Sequence, residues 1–301
     1  MLAMCSWLLP SLISLIAVTH VAAGEFSFPV AVSSVAQAAK SFDRGLLWFY
    51  AYAYKEGEHH FRLAAHHDAK CAMCYWGIAI CRKHEAIEAG HPLTSAALPY
   101  SKTSVSLLRR NEAEEAGGER EISDLEKRLI EELHESLTQK TPGEGQQYLI
   151  AALQDLRSHH ADQPAVEAEI VALLTDAMLF ADAIDASLSH REQAISILRG
   201  AIPEYPHHPG AWHTYIHLTE RNTTDELGLM AAQQLPSFSD GRIAHFEHMP
   251  THISWRRGMW DEAIDANLRA IATDHAYFSQ NGQGLSALYY EYHYLRERAH
   301  T

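Results

Sequence analysis

The chain has 301 residues, of which 47% are hydrophobic, enough to bury the core of one large domain or two modest ones. Its formal net charge is −14 with histidine counted as neutral. Phosphate recognition needs clustered lysine and arginine, so this charge argues against a nucleic-acid partner and leaves cation binding open. Histidine is the compositional anomaly, because 21 occur and several stand in adjacent pairs.

The N-terminal segment predicts export. An apolar run ends in Val21, Ala22 and Ala23, a small-x-small pattern before Gly24 that fits a signal-peptide cleavage site. The run is short for a bilayer crossing, so a signal peptide over residues 1–23 is favoured over an anchor, although no lysine or arginine precedes it. We expect residues 24–301 to form one secreted or periplasmic domain with no membrane span.

Helical periodicity dominates the rest of the chain and strand patterns are weak, so we predict an all-α fold. The predicted elements begin with two helices within 42–65, broken near 55–57, and a helix over 70–84. A charged helical region over 101–139, interrupted near 117–118, precedes a helix over 141–160 and one that starts at Pro164. The remaining predicted helices are 191–202, 210–220, 224–235, 243–257, 260–273 and 285–298.

Several segments match the tetratricopeptide pattern, in which small residues let two helices approach and large ones fill the space between hairpins. The segment "GMWDEAIDANLRAIATD" carries Gly258, Trp260, Ala263 and Ala270, with Asn267 where an aromatic residue is usual. Weaker matches comprise Gly45, Trp48, Gly57, Phe61 and Ala64, and then Ala194, Leu198, Ala201 and Pro206. The pattern predicts a tetratricopeptide-like solenoid of helical hairpins, a right-handed superhelix, over residues 24–301.

Three longer segments carry a family resemblance: "FDRGLLWFYAYAYKEGEHHFRLAAHHDAKCAMCYWGIAI", "HPGAWHTYIHLTE" and "HFEHMPTHISWRRGMWDEAIDANLRAI". Here the chain resembles a family of exported bacterial tetratricopeptide-repeat proteins over most of residues 40–300. The HPGA and HMPTHI motifs are the specific ones, and the resemblance implies no established reaction. The chain departs from that family after "YWGIA", at Cys74 and Cys81, and at its C-terminus, where only the surroundings of His293 are similar.

Two groups of histidines suggest a metal site. His245, His248 and His252 lie within about 60° of one another on an ideal helix. The second group, His213, His217 and Glu220, has offsets of four and three residues. If the two stripes face each other, their nitrogens and one carboxylate would suit zinc or copper, for which imidazole is a good ligand. His293 is a further candidate ligand.

Repeat geometry places these histidines in the groove that the resemblance implies. With Gly258 as the turn glycine, the three later histidines occupy positions that line the concave groove of tetratricopeptide proteins, followed by Trp255 and Arg256. Pro250 interrupts this stretch, removes one backbone donor and is expected to kink the helix. Cys71 is a further candidate for the groove.

Two other groups have competing interpretations. Cys71, Cys74 and Cys81 share one helix face, which is compatible with a soft-metal or redox site, or with small buried residues and one bridge. Asp176 lies on an apolar helix, where it would orient a ligand histidine, cap a helix or face solvent.

The leading hypothesis is an exported metalloprotein, with copper or zinc in a histidine-rich groove and Glu220 as a ligand or general base. It would act as an oxidoreductase or a hydrolase. The alternatives are a non-catalytic scaffold that grips a peptide, partner protein or small molecule, and a protein that stores or delivers metal. The sequence contains no phosphate loop, nucleophile elbow or HExxH motif, so kinase, serine-hydrolase and zincin functions have no support.

Overall fold

The computed structural model describes residues 26–114 and 121–281, and the structural statements below concern these residues. The predicted signal peptide, the predicted helix at 285–298 and His293 lie outside them. No strand occurs in the described ranges, so the all-α prediction is confirmed there. Within the same ranges, no helix combines the length and apolarity that a bilayer crossing requires.

Fourteen α-helices and one 3₁₀ turn follow one another along the described residues. They are α1 (Ala36–Tyr50), α2 (Tyr54–His67), α3 (Ala72–Ala89), α4 (Leu93–Glu114), α5 (Asp124–Thr138), α6 (Pro142–His159), α7 (Pro164–Leu179), α8 (Ala181–Ile184), α9 (Arg191–Ala201), α10 (Pro209–Thr219), α11 (Glu226–Gln234), the 3₁₀ turn (Leu235–Phe238), α12 (Ala244–His248), α13 (Pro250–Arg256) and α14 (Trp260–Asn281). Successive helices pack on one another through most of the chain.

Local sequence explains many of the helix starts. Thr141 and Glu144 form a capping box in front of α6, with Pro142 at the first helical position, where a missing N–H has no consequence. The side chain of Ser123 caps α5, and that of Asp225 caps α11.

Some predicted boundaries are wrong, among them the first break, whereas the interruption expected at Pro250 is present. The first break falls at residues 51–53, not 55–57, because Tyr52 adopts a left-handed conformation with φ of 57° and ends the first helix. The predicted helix at 243–257 is divided into α12 and α13. Pro250 has no N–H with which to bond the preceding turn, so the hydrogen-bond ladder is interrupted just before it.

Small residues bring α1, α2 and α3 together around one aromatic ring. Phe61 of α2 is fully buried, and Gly45 of α1 and Gly77 of α3 both abut its ring. A Cβ atom built on Gly77 would lie 2.4 Å from the Phe61 ring, and one on Gly45 would lie 2.8 Å from it. Neither position has room for a side chain, so glycine is needed for this close packing.

The helix α7 forms the centre of the molecule, with α6, α9 and α10 packed against it. Its residues from Val166 to Met178 are all buried, so the helix has no face open to solvent over this stretch. Its buried residues include Glu169 and Asp176, and both carboxylates have histidine partners. The interior therefore holds carboxylate–histidine pairs as well as an apolar core.

The chain also closes on itself. The helix α1 contacts α10, and the last described helix returns to the first, where the rings of Trp48 and Tyr277 lie 5.1 Å apart. The Tyr277 hydroxyl donates a hydrogen bond to Glu56 at 2.9 Å. This closure brings residues from the N-terminal turn onto the histidines of α10 and α12.

Candidate metal centre

Three histidines from two helices converge in the structure. His213 and His217 lie one turn apart on α10, and His245 comes from α12. Each offers one ring nitrogen, and these three atoms all lie within 4.8 Å of one another. We call this set the histidine triad. His213 is fully buried and the other two are partly buried, so the triad lies inside the molecule near its surface.

The backbone sets the tautomer of His213. Its Nδ1 lies 2.5 Å from the carbonyl oxygen of Tyr50, an atom that can only accept a hydrogen bond. Nδ1 therefore carries the proton, and Nε2 presents a lone pair. That Nε2 lies 3.1 Å from Nε2 of His217. Fixing one ring nitrogen by a backbone carbonyl while the other stays available is the usual arrangement behind a metal-ligating histidine.

Burial also keeps His213 uncharged. Desolvation lowers its pKa well below 6.5, and the neighbouring His217 lowers it further, while the hydrogen bond to Tyr50 opposes the shift. A neutral imidazole is the form that binds metal ions. His213 is therefore in its ligand-competent state at neutral pH.

Tyr52 forms one wall of the triad. Its ring centroid lies 4.2 Å from that of His213, and its ring stacks on His217 at 5.5 Å with an interplanar angle of 12°. The left-handed backbone at Tyr52, with φ of 57°, lets the α1–α2 turn present the ring to α10. Non-glycine residues seldom adopt this conformation, and such strain is frequent at functional sites.

His248 is not a member of the triad. It is fully buried, and its Nδ1 lies 2.6 Å from the side-chain oxygen of Asn267 on α14. Its ring centroid is 5.8 Å from that of His245. The structure therefore places His248 beside the triad, where it joins α12 to α14.

His252 is paired with Glu220. Nδ1 of His252 lies 2.9 Å from a Glu220 oxygen, and the ring lies 5.4 Å from that of His217. Burial raises the pKa of Glu220, but the hydrogen bond and charge of His252, with Arg256 and Arg191, outweigh it and lower that pKa below 4.5. Glu220 is thus an ionised carboxylate next to the triad, outside the set of converging nitrogens.

Trp255 and Arg256 flank this pair. The guanidinium of Arg256 lies over the Trp255 ring, 5.4 Å from its centroid, and 4.0 Å from the other Glu220 oxygen. Arg256 is exposed and Trp255 is half-buried. The two residues thus lie next to the glutamate–histidine pair, on its more exposed side.

Cys71, a candidate for the groove, is not a free thiol. Its sulfur is bonded to Cys74, it caps the N-terminus of α3, and it is only 1% exposed. Cys81 is a buried free thiol. The three cysteines thus have the simpler of the two arrangements considered, with one bridge and one spare thiol, and no soft-metal cluster occurs in the described part of the chain.

Asp176 does not orient a member of the triad. Its carboxylate bonds Nε2 of His84 at 2.8 Å, and both residues are almost completely buried. Neither capping nor exposure to solvent, the other two interpretations considered for Asp176, describes its environment. This pair forms a separate polar group in the interior.

Three residues at the site were not identified from sequence. Tyr50 and Tyr52 approach His213 from more than 160 residues away, and nothing local in the sequence indicates that contact. Asn267 did carry a signal, because it replaces the aromatic residue usual at that repeat position. The polar side chain is present there to bind His248.

No family model matches the sequence, and no curated protein matches it either. The description of the site therefore depends on its geometry.

Proposed function

We propose that this chain is a metalloprotein that binds one zinc or copper ion through His213, His217 and His245. The observation that carries the proposal is the convergence of three ring nitrogens within 4.8 Å from two separate helices. The tautomer and neutral state of His213 support it, because both prepare Nε2 for coordination. Imidazole-only ligand sets suit zinc and copper better than calcium or magnesium.

Binding of a metal ion requires one of the three histidines to move. Metal–nitrogen bonds of about 2.0–2.1 Å in a tetrahedral site place ligand nitrogens roughly 3.3 Å apart. The 3.1 Å separation of the two α10 histidines is close to that value. His245 has to approach by about 1.5 Å to complete the set, a displacement within reach of a ring rotation. Three ligands then leave a fourth position open.

An open position beside a glutamate–histidine pair favours catalysis over storage. With zinc, a bound water would be activated, and the pair formed by Glu220 and His252 would receive its proton. With copper, the same position would serve oxidoreductase chemistry. We propose hydrolysis as the first reaction class to examine, because the carboxylate–imidazole pair is an acid–base group.

We further propose that the helices form a tetratricopeptide-like superhelix and that the chain is exported after removal of residues 1–23. Sequential packing of neighbouring helices supports the first point. The contact between α1 and α10 is unlike an open solenoid, whose repeats touch only their neighbours. A peptide or small molecule would enter beside Trp255 and Arg256.

Metal analysis of untagged protein tests the proposal. We expect about one zinc or copper ion per chain by elemental analysis, and a one-site titration by calorimetry. His217→Ala should remove the site, while His66→Ala, which changes an exposed histidine on α2, should leave it intact. His252→Gln should keep the ion, because its ring belongs to the neighbouring pair.

The result that overturns the proposal is a chain that binds neither metal, or one that binds equally well after His217→Ala. In that case, a non-catalytic scaffold that holds a peptide or protein would be the better description.

A further inference from the structure

A second polar group lies in the interior, beneath α3, α5, α6 and α7. A small cavity there is lined mostly by apolar side chains, among them Trp76, Ile80, Leu129, Leu153, Leu156 and Leu173. Its polar wall comes from Lys83 and His84 of α3, Asp176 of α7, and Glu132 of α5, whose carboxylate is bonded to Arg128 and Tyr148. None of these residues belongs to the histidine triad. An apolar cavity with a few convergent polar groups is the usual form of a small-molecule site.

Lys83 is an unusual residue to find in this place. It is 3% exposed, and its amine donates a 2.8 Å hydrogen bond to the side-chain oxygen of Gln146. Gln146 is held in turn by the carbonyl of Ala177. The hydrogen-bond partner of the amine is thus neutral, and among the described residues no carboxylate lies within ion-pair distance of it. Burial lowers the pKa of Lys83 to about 8, although the charge of Asp176 opposes the shift.

Asp176 contributes an oxygen with no hydrogen-bond partner. One carboxylate oxygen binds Nε2 of His84, whose Nδ1 donates to the carbonyl of Ile80 at 2.9 Å. The other oxygen, Oδ1, is buried and accepts no hydrogen bond from the described residues. A buried carboxylate oxygen without a donor is costly, so a donor or a positive charge placed in the cavity would be stabilised there.

The size of the cavity restricts its occupant. The space open to the centre of a water-sized molecule is about 20 Å³. A single water needs about 10–15 Å³ on this measure, so only a few heavy atoms fit.

We propose that this cavity is a second reactive site, in which the amine of Lys83 condenses with a small aldehyde to form an iminium ion facing Asp176. Lysines that are desolvated in apolar pockets are the ones that form such bonds with carbonyl compounds. The positive charge of the product would lie in the cavity that Asp176 also lines. The apolar walls would receive the short carbon chain.

The reaction balances without any further reagent. The amine nitrogen forms a bond to the carbonyl carbon, and the carbon–oxygen double bond breaks. Starting from the ammonium form of Lys83, two of its three protons leave with the carbonyl oxygen as one water molecule. The third proton remains on the iminium nitrogen, so the charge is conserved and nothing is oxidised or reduced.

Reductive trapping tests this inference on the whole folded chain. The protein is treated briefly with dilute acetaldehyde and cyanoborohydride at pH 7, and ethylation is then measured at each of its seven lysines by peptide mass spectrometry. We expect Lys83 to be labelled about tenfold faster than the exposed Lys102 and Lys140, because much more of its amine is neutral at this pH. Unfolding in urea should abolish the preference.

Asp176→Asn is the informative variant, because it removes the carboxylate charge at nearly constant side-chain volume. The change lowers the pKa of Lys83 and so raises the neutral fraction of its amine, but it also removes the carboxylate that faces the iminium ion. We expect the second effect to prevail, so that labelling of Lys83 slows while Lys102 and Lys140 are unchanged, and faster labelling would contradict the role given to Asp176. If Lys83 in the folded wild-type chain is labelled no faster than the exposed lysines, the inference is overturned, and the buried groups are structural, with a trapped water as their partner. The labelling rates of the lysines in the wild-type chain decide between these two outcomes even if the variant fails to fold.

Discussion

At the scale of single residues, His213 shows how a backbone carbonyl sets the tautomer of an imidazole. One carbonyl oxygen from Tyr50 fixes the proton on Nδ1 and leaves Nε2 directed at His217. His248 differs, because its Nδ1 contacts the side-chain oxygen of Asn267 and the residue is not part of the triad. Histidines of the same type and similar spacing thus have different surroundings, and only their partners distinguish them.

Lys83 carries a pH prediction at this scale. Its pKa is about 8 in the folded chain and 10.5 when unfolded, so the fold disfavours its protonated form. Below pH 8 the buried ammonium lowers the unfolding free energy by its full amount. This loss disappears as pH rises towards 10.5. Between pH 7.5 and pH 9.5, the wild type should gain about 2 kcal/mol of unfolding free energy relative to Lys83→Met, which lacks the titrating group.

Urea denaturation of both proteins at the two pH values measures this difference. Subtracting the unfolding free energy of the variant from that of the wild type cancels the contributions of other groups that titrate in the same range. If the unfolding free energies of the two proteins change equally between the two pH values, burial does not lower the pKa of Lys83.

At the scale of elements, the break between α12 and α13 decides which histidines meet. Pro250 interrupts the hydrogen bonding just after His248, and α13 then packs on α10, α11 and α14. On an uninterrupted helix, His245, His248 and His252 would form one stripe. The two short helices instead direct His245 to the triad and His252 to Glu220.

The packing of α1, α2 and α3 carries a second prediction. Gly77→Ala would place a Cβ atom 2.4 Å from the Phe61 ring, a distance that forces the helices apart. Overpacking of this kind costs about 1–3 kcal/mol, and the better helix propensity of alanine returns up to about 1 kcal/mol. We expect Gly77→Ala to lower the unfolding free energy by about 1–2 kcal/mol.

Gly200→Ala is the matched control. Gly200 lies in α9, and an added Cβ atom would meet nothing within 4 Å. This change should leave stability equal or raise it by about 0.5 kcal/mol through helix propensity alone. Equal destabilisation by the two substitutions, measured by urea denaturation, would contradict the packing argument.

At the scale of the whole molecule, the triad lies where the chain closes on itself. The Tyr50 carbonyl and the Tyr52 ring bring the N-terminal turn onto α10, while α12 is held by α14. An ion bound here would connect elements that are far apart in the sequence. It should therefore stabilise the fold as a unit.

Thermal unfolding with and without metal tests that connection. At a free concentration of zinc or copper 100 times its dissociation constant, binding adds about 2.7 kcal/mol to the folded state. For a chain of this size we expect the Tm to rise by about 5 °C or more. His217→Ala should lose the shift, and His66→Ala should keep it. An equal rise in all three proteins would indicate binding elsewhere.

The sequence by itself determined the helical class and the pairing of two candidate ligands. Helical periodicity is a property of the backbone, so the positions of most helices follow from the pattern of apolar residues. The four-residue spacing of His213 and His217 likewise puts both imidazoles on one side of α10, which is how they lie. Both features need only interactions between near neighbours in the chain.

Only the tertiary structure decided which third histidine joins them, what fixes their tautomer, and where the buried Lys83 lies. His84 and Asp176 are 92 residues apart, and Tyr50 and His213 are 163 apart. Such contacts depend on how helices pack, and on a backbone interruption that redirects the side chains beyond it. Packing is a property of all the surfaces together, so no local pattern determines it.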